Sequence, residues 1–181
     1  MLFVFDKNKV MLDLSKIRVV EDFPKKGIKF FDITTVLNNA QLYRETIDEL
    51  VEIAKQEKPD VLVALETRGF FFGPSIALAL NIPFIPIRKA GKLPWETYRE
   101  TYHLEYGDES IEIHTDAMQE GKRVLIFDDI LATGGTSSAA IQLCKHFNPS
   151  YIGVMFLLEI AHLKGRDKIT ADSMYSLIKT E

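Results

Sequence analysis

Three stretches of this chain, Val61 to Leu65, Val124 to Phe127 and Tyr151 to Leu158, are apolar at almost every position. A strand with one wet face alternates apolar and polar residues, so continuous runs of this kind belong to a sheet covered on both faces. Helical patterns fall between them. Leu42, Ile47, Leu50, Val51 and Ala54 make one stripe over residues 42–55, which stops before Pro59. Gly73-Pro74 opens a second helix, to about Asn81, with proline where a missing N–H costs nothing. Pro83 to Arg88 reads as a further strand, and a last helix passes through Ala139, Ala140, Leu143 and Cys144. This alternation predicts an α/β fold with a central, mainly parallel sheet flanked by helices. With 181 residues the chain suits a single domain over 1–181, able to bury roughly 70% of its unfolded surface.

Two stretches stand outside the alternation. The N-terminal residues, about 1–40, are turn-rich and predict a small hood over the sheet. Lys92 to Ile113 is polar and tyrosine-rich, and too long for an ordinary connection, which predicts a flexible loop or lid. The apolar start, Met1 to Phe5, is too short for a signal sequence, and no run approaches the ~18 residues of a membrane span. The expectation is a cytoplasmic protein with no membrane partner. A net charge of −4 gives no general attraction to nucleic acid, so any phosphate must be met by local groups. Cys144, the sole cysteine, excludes an internal disulfide and reads as a small core residue.

The segment Val124-Leu-Ile-Phe-Asp-Asp-Ile-Leu-Ala-Thr-Gly-Gly-Thr136 carries the sharpest chemistry. Ligands of a parallel sheet bind at the carboxyl ends of its strands, and a glycine turn into a helix aims backbone N–H groups at phosphate. Thr133 and Thr136 add hydroxyl donors. Asp128 and Asp129 repel phosphate, so they serve vicinal hydroxyls or a metal with hydroxyl ligands. A phosphate beside a diol describes a ribose 5-phosphate. The spacing and the missing lysine exclude a Walker loop.

This segment resembles the sugar-phosphate motif of the type I phosphoribosyltransferases. Leu65-Glu-Thr-Arg-Gly-Phe-Phe-Phe-Gly-Pro74, Ile87-Arg-Lys-Ala-Gly-Lys-Leu-Pro94, Leu104-Glu-Tyr-Gly107 and Leu163-Lys-Gly-Arg166 are similar, in order, to segments of its adenine-acting branch. The resemblance implies the type I fold and transfer of a phosphoribosyl group from 5-phosphoribosyl-1-pyrophosphate (PRPP) to adenine, giving AMP and pyrophosphate with Mg²⁺. It implies that Ala132, Thr133, Gly134, Gly135 and Thr136 cradle the 5-phosphate while Asp128 and Asp129 face the ribose. Thr67, Arg68 and Gly69, joined by Arg88, Lys89 and Lys92, would bind pyrophosphate, around an unusual Glu66–Thr67 peptide.

Glu105 would act on the base from a lid that also carries Tyr102 and Tyr106, because a carboxylate can take the proton the base must lose. Lys29, Phe30 and Phe31 would meet the base, with Phe30 stacking opposite Ile130 or Leu131. Mg²⁺ would come with PRPP, near Asp128 and Asp129, and the protein would be a homodimer. Phe31, where the family often has a basic residue, and Trp95, where it has a small one, depart from the pattern. Hypoxanthine or guanine as the base, or a PRPP-sensing regulator, are the alternatives.

Overall fold

A computed structural model describes residues 12–104 and 107–180, in two units divided between Glu49 and Leu50, within a helix. In the N-terminal unit, Asp13 caps a 3-10 turn over Leu14–Lys16 by accepting from the Ser15 N–H at 2.7 Å. Strands β1 (Arg18–Glu21) and β2 (Lys29–Asp32) follow as an antiparallel pair, with Val19 opposite Phe31 and Val20 opposite Phe30. The link between them turns at Asp22, whose carboxylate accepts from the Gly27 N–H at 2.6 Å. A single-turn helix, α1 (Thr34–Leu37), leads into α2 (Ala40–Glu57). Successive strand residues face opposite ways. Phe31 is buried at 9% exposure, whereas Phe30 is half-buried and meets Phe23 edge to face at 5.2 Å. The Phe31 side chain is therefore a core residue of its own unit.

The second unit holds a seven-stranded sheet: β3 (Val61–Leu65), β4 (Phe84–Lys89), β5 (Thr97–Leu104), β6 (Gly107–His114), β7 (Arg123–Leu131), β8 (Tyr151–Glu159) and β9 (Ser173–Lys179). Their spatial order is β5-β6-β4-β3-β7-β8-β9, and β4, β3, β7, β8 and β9 run parallel. All of β3 is buried, as its unbroken apolar sequence requires. Helices α3 (Gly73–Leu80) and α4 (Gly135–Lys145) complete the crossovers, α3 ending on Asn81 in the left-handed conformation. Burial pushes the Cys144 thiol up to about 12, so it is an inert part of the core.

Two sequence expectations change, and a third feature is one the sequence pattern does not announce. The acids at 128 and 129 lie inside β7, which continues past them to Leu131. Residues 92–113 are not one irregular connection, because β5 and β6 form an antiparallel hairpin that joins β4 through Arg88↔Glu112 and Lys89↔Ile111. Tyr98, Tyr102, Ile111 and Ile113 pack on the core, while Arg99 neutralises the buried Glu112 at 2.5 Å. The third is β9, an edge strand whose mixed sequence carries no continuous apolar run.

Candidate active site

Chemistry collects where the parallel strands end. In β7 the Asp129 side chain is 3% exposed and its N–H donates to Asp128 Oδ1 at 2.9 Å. Burial pushes the Asp128 carboxyl well above the usual range, and the neighbouring Asp129 charge pushes it further. Burial raises Asp129 as well, against the opposing charge of Arg68. A cationic ligand, or hydroxyl donors, would therefore favour the charged form of this pair.

After β7 the chain passes through Ala132 and Thr133 to Gly134, which caps α4 in the left-handed conformation at φ 78°. No side chain caps this helix, so the first N–H groups of α4 are offered to an anion. Thr133 is exposed and Thr136 half-buried. The loop is shaped from behind. A Cβ on Gly134 would lie 2.3 Å from the Gly165 carbonyl oxygen, and one on Gly165 would lie 2.1 Å from that of Ala132. The segment bearing Gly165 is fixed by Arg166, which grips Glu159 at the end of β8 with bonds of 3.0 and 2.5 Å.

At the end of β3 the Glu66–Thr67 peptide is cis, and Arg68–Phe71 forms a 3-10 turn. Arg68 Nε lies 2.6 Å from Asp129 Oδ2. A Cβ on Gly69 would approach the Phe127 carbonyl oxygen to 3.2 Å and Asp128 Oδ1 to 3.3 Å, so this turn lies directly against β7. Thr67 is exposed above it.

From β4, Arg88 donates through Nε and Nη2 to Glu66 at 3.2 and 3.3 Å, and Lys92 Nζ lies 2.5 Å from the same carboxylate. The Lys89 N–H adds a bond of 3.0 Å. Burial alone would raise Glu66, yet Lys92, Arg88 and the Lys89 N–H bring it down to about 2. Lys89 Nζ reaches Glu109 on β6 at 3.3 Å. Glu109 also accepts from the Tyr102 hydroxyl at 3.0 Å, and Tyr102 is within hydrogen-bonding reach of Thr136.

The fold therefore brings together 67–69, 88–92, 128–129 and 132–136 at one sheet edge. Ile130 is half-buried in β7. Lys29, Phe30 and Phe31 lie on β2 of the N-terminal unit, where Lys29 pairs with Glu21 at 3.3 Å. Glu105 and Tyr106 lie outside the described residues. Among the described residues no cluster of three or more His, Cys, Asp or Glu side chains forms a cage for a metal ion, and no helix is long and apolar enough to cross a membrane. Sequence reasoning assigned no role to Gly165, Arg166, Glu159, Glu66 or Glu109. Gly165, Arg166 and Glu66 stood in segments already singled out, but a brace and a counter-charge are visible only once strands are aligned.

An uncapped helix N-terminus, a carboxylate pair and a cationic turn on one edge can hold a sugar phosphate that carries a second polyanion. Comparison with known proteins agrees. Residues 32–181 match the model of the phosphoribosyl transferase domain. The chain is 48% identical over 169 residues to adenine phosphoribosyltransferase of Desulfitobacterium hafniense, covering 93% of this chain and 98% of that protein. The crystal structure of adenine phosphoribosyltransferase from Thermoanaerobacter pseudethanolicus superposes with a TM-score of 0.87 at 46% identity, covering 92% of this chain and 96% of that one. The Saccharomyces cerevisiae enzyme, complexed with an imino-altritol bisphosphate and adenine, gives 0.84 at 40% identity, covering 90% and 94%.

Proposed function

The chain belongs to the phosphoribosyltransferase family, and from that premise we propose that it transfers the phosphoribosyl group of PRPP to adenine, releasing AMP and pyrophosphate in purine salvage. The observation that carries this reading is the Asp128–Asp129 pair set between the open N-terminus of α4 and the Arg68 turn. It offers adjoining places for a 5-phosphate, a pair of ribose hydroxyls and a pyrophosphate.

In this reading Ala132 to Thr136 take the 5-phosphate through backbone N–H groups and the threonine hydroxyls. Asp128 and Asp129 accept from the ribose hydroxyls. Thr67, Arg68 and Gly69, with Arg88, Lys89 and Lys92, hold the pyrophosphate. As the C1′–O bond to pyrophosphate breaks, positive charge grows on the ribose, and the N9–C1′ bond forms while adenine gives up its N9 proton. Glu105 accepts that proton or steadies the charge on the base, and the lid that the resemblance assigns to Tyr102 and Tyr106 keeps water from the activated sugar. The family resemblance assigns the base to Lys29, Phe30 and Phe31, and to Ile130.

The donor set suits Mg²⁺ carried by the substrate: two carboxylates that burial disfavours as a charged pair gain from a cation, but they cannot enclose one alone. The ion would neutralise charge on the departing pyrophosphate. A cytoplasmic homodimer, without nucleic-acid partners, completes the proposal, supported by the family resemblance, the acidic net charge and the exposed Leu78 of α3.

The test is pyrophosphate release with adenine, hypoxanthine and guanine in competition at equal concentration. Adenine should have the highest kcat/KM. An oxopurine in first place would make this a hypoxanthine or guanine enzyme.

A further inference from the structure

The cations offered to the pyrophosphate already have carboxylate partners. Arg68 lies on Asp129, Lys89 on Glu109, and Arg88 and Lys92 together on Glu66. Glu66 differs from a surface acid. Its side chain is 6% exposed, and its oxygens accept from Arg88 Nε and Nη2, Lys92 Nζ and the Lys89 N–H. A carboxylate and a phosphate present the same paired acceptors to a guanidinium.

We infer that Glu66 is a resident counter-ion, a positioning residue that holds Arg88 and Lys92 between turnovers, yields them to the diphosphate group and reclaims them as pyrophosphate departs. The inference rests on the assignment of this face to pyrophosphate. The backbone is suited to the exchange, because the Glu66 N–H is anchored on the Ile87 carbonyl at 2.9 Å whether or not the side chain lets go. The Gly91 N–H is held by Glu112 at 2.9 Å, so the turn carrying Lys92 keeps its place. The cationic side chains themselves, 35% and 47% exposed for Arg88 and Lys92, have room to turn toward a ligand. Glu66 thereby lowers affinity for the polyanion while keeping its binding groups assembled, and it speeds release.

Calorimetric titration with inorganic pyrophosphate, at fixed Mg²⁺ and ionic strength, separates this role from that of a plain anchor. Glu66→Gln keeps the volume and an acceptor for the Lys89 N–H but removes the charge. The variant should bind pyrophosphate about tenfold more tightly, with kcat and the KM for PRPP falling together. A simple anchor would give weaker binding, because Arg88 and Lys92 would lose their placement. Equal or weaker affinity in a folded variant overturns the inference.

A second readout needs no substitution. The Glu66 side-chain carboxyl, followed by carbon chemical shift in the wild-type protein, should titrate at about 2 alone and move toward the ordinary range when pyrophosphate saturates the site. An unmoved titration overturns the exchange. Wild-type protein that binds no pyrophosphate would instead overturn the assignment of this face, and the counter-ion role with it.

Discussion

Arg68 Nε stands 2.6 Å from Asp129 Oδ2, so the turn leaving β3 is charge-locked to the end of β7. Asp129 is almost fully covered while Arg68 is 41% exposed, and solvent therefore weakens the pair relative to a buried one. Arg68→Ala should cost about 1 kcal/mol of stability in denaturant melts. It should raise the KM for PRPP at least about tenfold, because the variant loses a phosphate donor and frees an acid that repels the ligand. An unchanged KM would remove Arg68 from the site.

Glu105→Gln should lower kcat by about 10²-fold or more while leaving PRPP affinity within about threefold, as expected of a group that acts on the base in the transition state. Equal losses in both would place Glu105 on the sugar phosphate instead.

Gly165→Ala tests whether the phosphate loop is shaped from outside. Its new methyl would fall 2.1 Å from the Ala132 carbonyl oxygen, with backbone that must move. The KM for PRPP should rise by about tenfold or more, with a stability loss of about 1–3 kcal/mol, and kcat should change less. Loss of stability alone, with KM intact, would make the contact mere packing.

The Arg166 guanidinium holds Glu159 down to about 2, against 4.5 for a free glutamate. An acid depressed on folding contributes stability that is complete above its unfolded value and disappears as pH falls through the folded one. Glu159→Gln should therefore be less stable than wild type at pH 7, by about 3 kcal/mol at most, and the gap should close as pH falls from about 4.5 to about 2. Urea midpoints over that range measure it. A gap independent of pH would mean that shape, rather than charge, holds the brace.

Much of this architecture is legible in residues 61–65, 124–127 and 151–158, because a strand covered on both faces has no polar side to disguise it. The hairpin at 97–114 is harder to read. Tyr98 and Tyr102 alternate with charge, and the buried Glu112 looks polar until Arg99 and Gly91 are seen to satisfy it. In the site, Asp128, Asp129 and the Thr-Gly-Gly loop announce themselves, since their types and spacing leave few other uses. Glu66 and Glu109 do not, because the cations they neutralise lie more than a dozen positions away in sequence and reach them only across strands. Phe31 gives an ambiguous signal for another reason: alternation puts one of two adjacent phenylalanines inside but does not say which.

The interlocked backbones of Gly134 and Gly165 mean that the proposed phosphate cradle is not a portable piece of sequence. Transplanted into another sheet, residues 132–136 would bring their glycines and threonines without the wall that bends them. The heritable unit is a pair of distant glycines, and a lineage that changes one must rebuild the other side of the contact or lose the cradle.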